Sequence, residues 1–346
     1  ETVNLNAGLG TNSINVTSTA DFVNTNIATT AGGDTVNVTT TGASSNVTIT
    51  GDVDANVVTL TTTAANSVTI VTTNGGNDTL TQNGNGAASG VQLNGGDGTD
   101  TFNIRSSAAG SVTDAHGGNN SDTFNLGSLA NSLDGLLGVT CVAGEGFDAG
   151  TGTIMKSVAA GTLTVSQTLA TGNILNLQDQ DPTFVSGKNY TLAASTFDRS
   201  GIGRVTYLST QSVNLNAGQG TDSLLIQSTA PATITNIATT AGGDAVNVAT
   251  TGASSIVEVT GDVGANTAAI TTTGNNSIFI VNAGAGSDSL TQQASGIASG
   301  IALNGDSGRD TLAVLRSGSG SASRAVGGAD DDLVQAGSGR MAELQG

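Results

Sequence analysis

Basic, aromatic and sulfur-bearing residues are scarce in this chain of 346 residues: 9 Lys plus Arg, 7 Phe, 2 Tyr, no Trp, 1 Cys and 2 Met. Set against 27 Asp plus Glu, they leave a net charge of -18, which excludes a basic surface for nucleic acid or anionic lipid. A lone Cys excludes a disulfide framework. No run approaches the roughly 18 consecutive apolar residues of a membrane span, so no membrane insertion is expected. At 36% hydrophobic and 3% aromatic the chain has little bulk for one conventional core, yet too much Val, Ile and Leu for disorder. It opens Glu1-Thr2-Val3, without Met or a signal peptide, and reads as a piece of something longer.

What the chain has is repetition, at two periods. The longer is about 210 residues: Thr25 to Asp34 returns unchanged as Thr235 to Asp244, and the likeness runs from about Thr2–Asn125 to Ser212–Gln335. The shorter is about 22 residues and shows in triplets of apolar, polar, apolar residues: Ile14-Asn15-Val16, Val36-Asn37-Val38, Val58-Thr59-Leu60, Phe102-Asn103-Ile104 and Phe124-Asn125-Leu126. Such alternation marks a strand with one buried face. A second set lies about halfway between, with Val47-Thr48-Ile49, Val68-Thr69-Ile70 and Val91-Gln92-Leu93. Strands that recur at fixed register without helical pattern between them share a core only by stacking coil on coil. The expected fold is therefore all-β: a flattened, β-roll-like parallel β-solenoid of about 22 residues and two strands per coil, duplicated, with a β-hairpin insertion. Its divisions are a first block over 1–126, an irregular connector with an extra coil and a projecting hairpin over 127–211, and a second block over 212–346.

One turn carries a code. Four residues before each triplet stand Gly10, Gly32, Asp54, Gly76, Gly98 and Asn120, then Gly220, Gly242, Gly264, Gly286, Gly308 and Asp330, all types that tolerate positive φ. Two residues further on come Asn12, Asp34, Asn56, Asp78, Asp100 and Asp122, with Asp222, Asp244, Asn266, Asp288, Asp310 and Asp332 in the second copy. An Asx there caps local backbone N–H groups, and that alone makes a turn. Carboxylates stacked about 4.8 Å apart also repel, and a hard cation between coils relieves the repulsion. Asp oxygens with glycine-loop carbonyls are the ligands Ca²⁺ prefers.

Gly95-Gly96-Asp97-Gly98-Thr99-Asp100-Thr101-Phe102-Asn103 matches every position of G-G-x-G-x-D-x-U-x, and Gly117 to Asn125, Gly305 to Asp310 and Gly327 to Asp332 come near it. The chain thus resembles the haemolysin-type (RTX) calcium-binding repeats of secreted bacterial toxins, proteases and surface adhesins. The resemblance implies Ca²⁺ between successive turns, with candidate ligands Asp34, Asp78, Asp97, Asp100, Asp122, Asp148, Asp222, Asp244, Asp288, Asp306, Asp310 and Asp332. Asp148 enters because Ala143-Gly144-Glu145-Gly146-Phe147-Asp148 restates the turn code. The departures are a coil of about 22 rather than about 18 residues, a small neutral opposite turn such as Thr39 to Ser45, and Asn at 12, 56 and 266.

In the connector, Ser128 to Val139 reads as a short helix or a loose coil. Tyr190-Thr191-Leu192 and Arg204 to Tyr207, around Ser200-Gly201-Ile202-Gly203, read as an antiparallel hairpin and a candidate recognition site. His116 and Cys141 each stand alone, so a Ser-His-Asp or Cys-His set cannot be built in both copies, and in one only with His116 beside its Gly-Gly turn; no enzyme is expected. The ranks Asn15, Asn37, Thr59, Thr81, Asn103 and Asn125 suggest ice binding, but the second copy has Leu225, Ala269 and Ala313 among them. The expected function is a non-enzymatic, calcium-stapled rod in an extracellular stalk, adhesin or self-assembling filament at a bacterial surface. The alternatives are a polysaccharide-active or polysaccharide-binding β-helix and an ice-binding solenoid. Expected partners are other copies or adjacent repeats, with surface polysaccharide next, and Leu225, Ala269, Phe279, Ala302 and Ala313 are outward positions suited to packing on a neighbour.

Overall fold

A computed structural model describes residues 1–150, 152–183, 185–337 and 342–345, the side chains of 342–344 excepted. All its regular elements are strands, and the chain is a parallel β-solenoid with a spacing of about 22 residues between paired strands. It forms two compact units, the first of residues 1–149, 172–178 and 201–210, the second of 150–171, 179–200 and 211–346. The connector of 127–211 is thereby shared between the blocks that it joins.

In the first unit one sheet runs through Thr2–Asn6, Asn24–Ala28, Asn46–Thr50, Val68–Thr72, Gly90–Asp97, Val112–Asn119, Val139–Glu145 and Val205–Leu208. The other runs through Ser13–Val16, Thr35–Val38, Val57–Leu60, Thr79–Gln82, Thr101–Ile104, Thr123–Leu126 and Ile174–Gln178. Pairing is parallel and in register, so Phe102 meets Leu80 on one side and Phe124 on the other. Because side chains alternate faces, that register stacks like on like: Val36, Val58, Leu80, Phe102, Phe124 and Leu175 are all buried in one file. Phe102 and Phe124 stack with ring centroids 4.7 Å apart. Each such side chain contributes roughly 1.5–3 kcal/mol of burial, and the thin core is the sum of these files.

The second unit repeats the plan. One sheet continues through Ser212–Asn216, Ile234–Ala238, Ile256–Thr260, Ile278–Asn282, Gly300–Ser307 and Ala322–Ala329, the other through Ser223–Ile226, Ala245–Val248, Thr267–Ile270, Ser289–Gln292, Thr311–Val314 and Leu333–Ala336.

Three readings of the connector and faces change. Tyr190 to Leu192 does pair antiparallel, but with Phe197 to Arg199; Val205 to Leu208 instead pairs parallel with Thr140 to Ala143 in the first unit. A buried ion pair decides this: the Arg199 guanidinium donates to both oxygens of Asp179, and the Tyr190 hydroxyl donates to Asp179 Oδ2 at 2.7 Å. The inserted hairpin is Thr153–Ala160 with Leu163–Ala170, a separate two-stranded sheet closed at Gly161, which has φ of 60°. Ser128 to Val139 is a loop without helix, its Leu133 and Leu136 buried and Leu129 and Leu137 exposed. Phe279 points inward and is 1% exposed, because Ile278-Phe279-Ile280-Val281 is apolar on both faces and hides its own register. Of its proposed companions, Ala302 is buried under the hairpin and Leu225 is exposed.

Candidate functional site

The Asx positions form a hydrogen-bonded ladder inside one edge of each block. In the first, the backbone N–H of Asn12 donates to Asp34 Oδ1 (2.6 Å), Asp34 to Asn56 (3.2 Å), Asn56 to Asp78 (2.6 Å), Asp78 to Asp100 (2.8 Å) and Asp100 to Asp122 (2.9 Å). In the second, Lys188 donates to Asp222 (2.7 Å), and the chain passes through Asp244, Asn266, Asp288 and Asp310 to Asp332. The rung after Asp122 is Asn173, whose Oδ1 accepts the Asp122 N–H at 2.7 Å. Asp148, expected there, lies exposed outside the ladder and accepts from Asn120 Nδ2.

Left-handed turns bring each rung to its place. Ten of the twelve turn positions have positive φ, as at Gly98 (127°) and Asn120 (75°); Asp54 and Gly264 do not. A Cβ at Gly98 would collide with the Gly76 carbonyl of the coil before, so glycine there serves close approach as well as φ.

The second carboxyl oxygen defines the site. Oδ2 of Asp34, Asp78, Asp100, Asp122, Asp222, Asp244, Asp288, Asp310 and Asp332 is buried and lacks a hydrogen-bond partner. The Asn rungs reveal what surrounds that position. Asn12 Nδ2 donates to the carbonyls of Gly8 and Gly10, Asn56 Nδ2 to that of Asp54, Asn266 Nδ2 to those of Gly264 and Ala283, and Asn173 Nδ2 to those of Gly146 and Ser209. The cage is lined by acceptors, so its occupant must be positive or a donor: an amide, a protonated acid or a cation. At Gly95 and Gly117 a Cβ would collide with Oδ2 of Asp100 and Asp122, respectively, so glycine keeps the cage open.

Electrostatics agree with the geometry. Burial pushes the Asp100 carboxyl up to about 7 and Asp122 up to about 8; backbone N–H donation opposes the shift and neighbouring carboxylates add to it. Asp222 is pushed up to about 6, and burial moves Asp78, Asp244, Asp288 and Asp310 in the same direction.

Two further carboxylates belong to the cages. Asp52 and Asp262 cap the N–H groups of Asp54 and Gly264, and each has a buried Oδ2 without a partner. They sit on the coils where the rung is Asn56 or Asn266, so those coils also carry a buried carboxyl. The recurring Gly51-Asp52 and Gly261-Asp262 were the signal, the Asp standing at the second position of the nonapeptide frame, where the full match has Gly96. Asp97 and Asp306 are exposed; Asp97 accepts from Asn119 Nδ2 at 2.6 Å. Among the described residues no group of three or more His, Cys, Asp or Glu converges on one point. A cation in a cage would therefore rest mainly on turn carbonyls and the carboxyls of adjacent rungs.

The other singled-out residues are engaged elsewhere. His116 lies between Glu145 Oε1 (2.9 Å) and Asp114 Oδ2 (3.2 Å); partial burial opposes its charge, but these carboxylates hold its pKa above the ordinary value. Cys141 is half-buried. The outward Asn and Thr rank is bonded coil to coil, Asn37 to Asn15 at 2.9 Å, Asn125 to Asn103 at 3.1 Å and Asn176 to Asn125 at 2.8 Å. Comparison with known proteins found no matching family model, curated protein or solved structure.

Proposed function

We propose that the chain is a non-enzymatic structural repeat protein of the bacterial surface or extracellular space, a section of a stalk, adhesin or self-assembling filament whose edge cages take Ca²⁺. The observation that carries the proposal is the edge itself: buried, partnerless carboxyl oxygens repeat along the ladder in cages whose Asn rungs donate to turn carbonyls and, at Asn56 and Asn266, also to the carboxylates of Asp52 and Asp262. A hard cation prefers such an all-oxygen lining, and the RTX-like segment Gly95 to Asn103 supplies one of these rungs, Asp100, with Gly117 to Asn125 supplying the next, Asp122. Oδ2 of Asp78, Asp100, Asp122, Asp288, Asp310 and Asp332, with the turn carbonyls, would hold it. Its contribution would be neutralisation of charge that burial otherwise disfavours. The remaining polar side chains support a mechanical role, because Asn, Thr and Ser are spent on coil-to-coil bonds: Asn26 to Asn4, Asn46 to Asn24, Thr41 to Ser67.

The test is metal content after dialysis against millimolar Ca²⁺, read together with light scattering across protein concentration. Several ions per chain, removed by EGTA with a fall in melting temperature, are expected. A chain without metal that melts identically in EGTA rejects the calcium part. Turnover of a polysaccharide, or thermal hysteresis in freezing water, would replace the structural reading with one of its rivals.

A further inference from the structure

The two blocks differ in what covers one sheet face. In the second, the hairpin Thr153–Ala160/Leu163–Ala170 lies over the outward side of Ile278–Asn282, Gly300–Ser307 and Ala322–Ala329. Val158 and Ala160 are buried there against Ile278, Ala302 and Ala322, with Ile154, Val165 and Leu169 packed beside them. Lys156 Nζ reaches Glu258 Oε2 at 2.6 Å. The fit has a notch. A Cβ at Gly300 would lie 2.9 Å from Val158 Cβ and 2.6 Å from Ile278 Cδ1, so the glycine admits Val158 between Ile278 and Ala322.

The same face of the first block, about 210 residues earlier, keeps the notch, and among the described residues no hairpin covers it. Val68, Gly90, Val112 and Val139 stand in register on adjacent coils, with the three valines 44, 46 and 42% exposed. Gly90 occupies the place of Gly300, and a Cβ there would meet nothing within 4 Å. A glycine at the start of a strand leaves a gap on the sheet face; here that gap lies between exposed β-branched residues of the flanking strands. Charge fits as well. The hairpin carries Lys156 and no acidic residue, whereas the bare face carries Asp114 where the second block has Arg324.

We propose that the Val68–Gly90–Val112–Val139 face is a docking surface for the 153–170 hairpin of a second copy of this chain, with Val158 entering the Gly90 notch. The proposal rests on the self-assembling reading above and gives it a geometry. The hairpin surface and the notch are different patches, so the contact is heterologous and propagates head to tail, as a filament or as a ring where its rotation closes. The cis seat competes for the hairpin. It is larger, since Ile234 and Ile256 extend its apolar row where the first block has Asn24 and Asn46, and it adds the Glu258 pair. Exchange is therefore expected at high protein concentration or when the cis seat is blocked.

Blocking it is the experiment. Sedimentation velocity over a concentration series is run on the wild-type chain, Gly300→Leu and Gly300→Leu/Gly90→Leu. Ejecting the hairpin with Gly300→Leu is expected to strengthen self-association at least tenfold, and adding Gly90→Leu to abolish that gain. A monomeric Gly300→Leu chain, or a double variant that associates as strongly as the single one, overturns the proposal. Should Gly300→Leu fail to fold, oxidative trapping decides in a Cys141→Ser background. Mixed Gly90→Cys and Val158→Cys chains must cross-link at least tenfold faster than Gly90→Cys with Met155→Cys, which lies on the hairpin's exposed side. Equal rates, or Gly90→Cys chains linking chiefly to each other, refute it. Wild-type assembly indifferent to Gly90 would refute this docking and leave the filament reading standing; monomers in every arm would remove both.

Discussion

Raising the pH should destabilise the fold in calcium-free buffer, against the habit of acidic proteins, and the ladder sets the size of the effect. Asp100 rises from 3.8 to about 7 through burial; at about 1.4 kcal/mol per unit, keeping its charged form folded costs about 4 kcal/mol relative to the unfolded chain. Asp122, at about 8, costs somewhat more, and Asp222, at about 6, about 3 kcal/mol. The values do not add, because Asp100 and Asp122 share a hydrogen bond and each feels its neighbour's charge. A folded pKa above the unfolded one stabilises fully at low pH, and that stability is lost as pH rises through the folded value. The loss should therefore fall between about pH 5 and 8, where exposed carboxylates no longer titrate. Thermal melts followed by far-UV circular dichroism in EGTA should drop by several degrees across that window, and Ca²⁺ should restore the loss at the alkaline end. Asp100→Asn sharpens the test, because an amide donates to the cage without carrying charge. The variant should gain about 1–3 kcal/mol over wild type at pH 8 in EGTA, change little at pH 5, and lose its advantage in Ca²⁺. A melting temperature that is flat or rising from pH 5 to 8 would sink the reasoning.

Two substitutions probe the remaining supports. Gly95→Val places a Cβ against Asp100 Oδ2 and the Gly117 carbonyl, and should lower stability by about 2–4 kcal/mol in both Ca²⁺ and EGTA, read by denaturant unfolding. Asp179→Ala removes the carboxylate from the 1% exposed Arg199 guanidinium and from the Tyr190 hydroxyl, which keeps the Gly218 N–H; a cost of about 3–5 kcal/mol is expected, and a loss below about 1 would show that the pair does not organise the connector.

The solenoid was legible because its signals recur. A strand of four residues is weak evidence alone, but Val36, Val58, Leu80, Phe102 and Phe124 at constant spacing fix period, register and buried face together, and the structure stacks them in one file. The same recurrence fixed the ladder at 34, 56, 78, 100 and 122. Legibility failed where a segment occurs once. Asn173 replaces Asp148 as the next rung because a loop and a hairpin intervene, and no second copy exists to expose the shift. The pairing of Tyr190 to Leu192 is chosen by Asp179 and Arg199, 20 residues apart and buried together, which no periodicity encodes. Asp52 and Asp262 recur but escaped because their coils carry Asn56 and Asn266 at the ladder position, whereas Asp306, at the same place in the frame, lies beside the Asp310 rung.

The positions that resisted reading bear on assembly. Ile278 and Phe279 are apolar on successive, opposite faces, so one residue serves the core and the other a surface that needs a cover. A solvated strand has no use for Ile278; a strand under a hairpin does. Val68, its counterpart in the first block, is followed by the polar Thr69 on the inner face and is itself left in water. Val68, Val112 and Val139 stand at the register position that holds Asn24 and Asn46 on neighbouring coils, so the polar choice that suits water is present in the same chain and is not used at these three. Exposed valines around an open glycine are the arrangement that the proposed docking of a second copy's hairpin would cover.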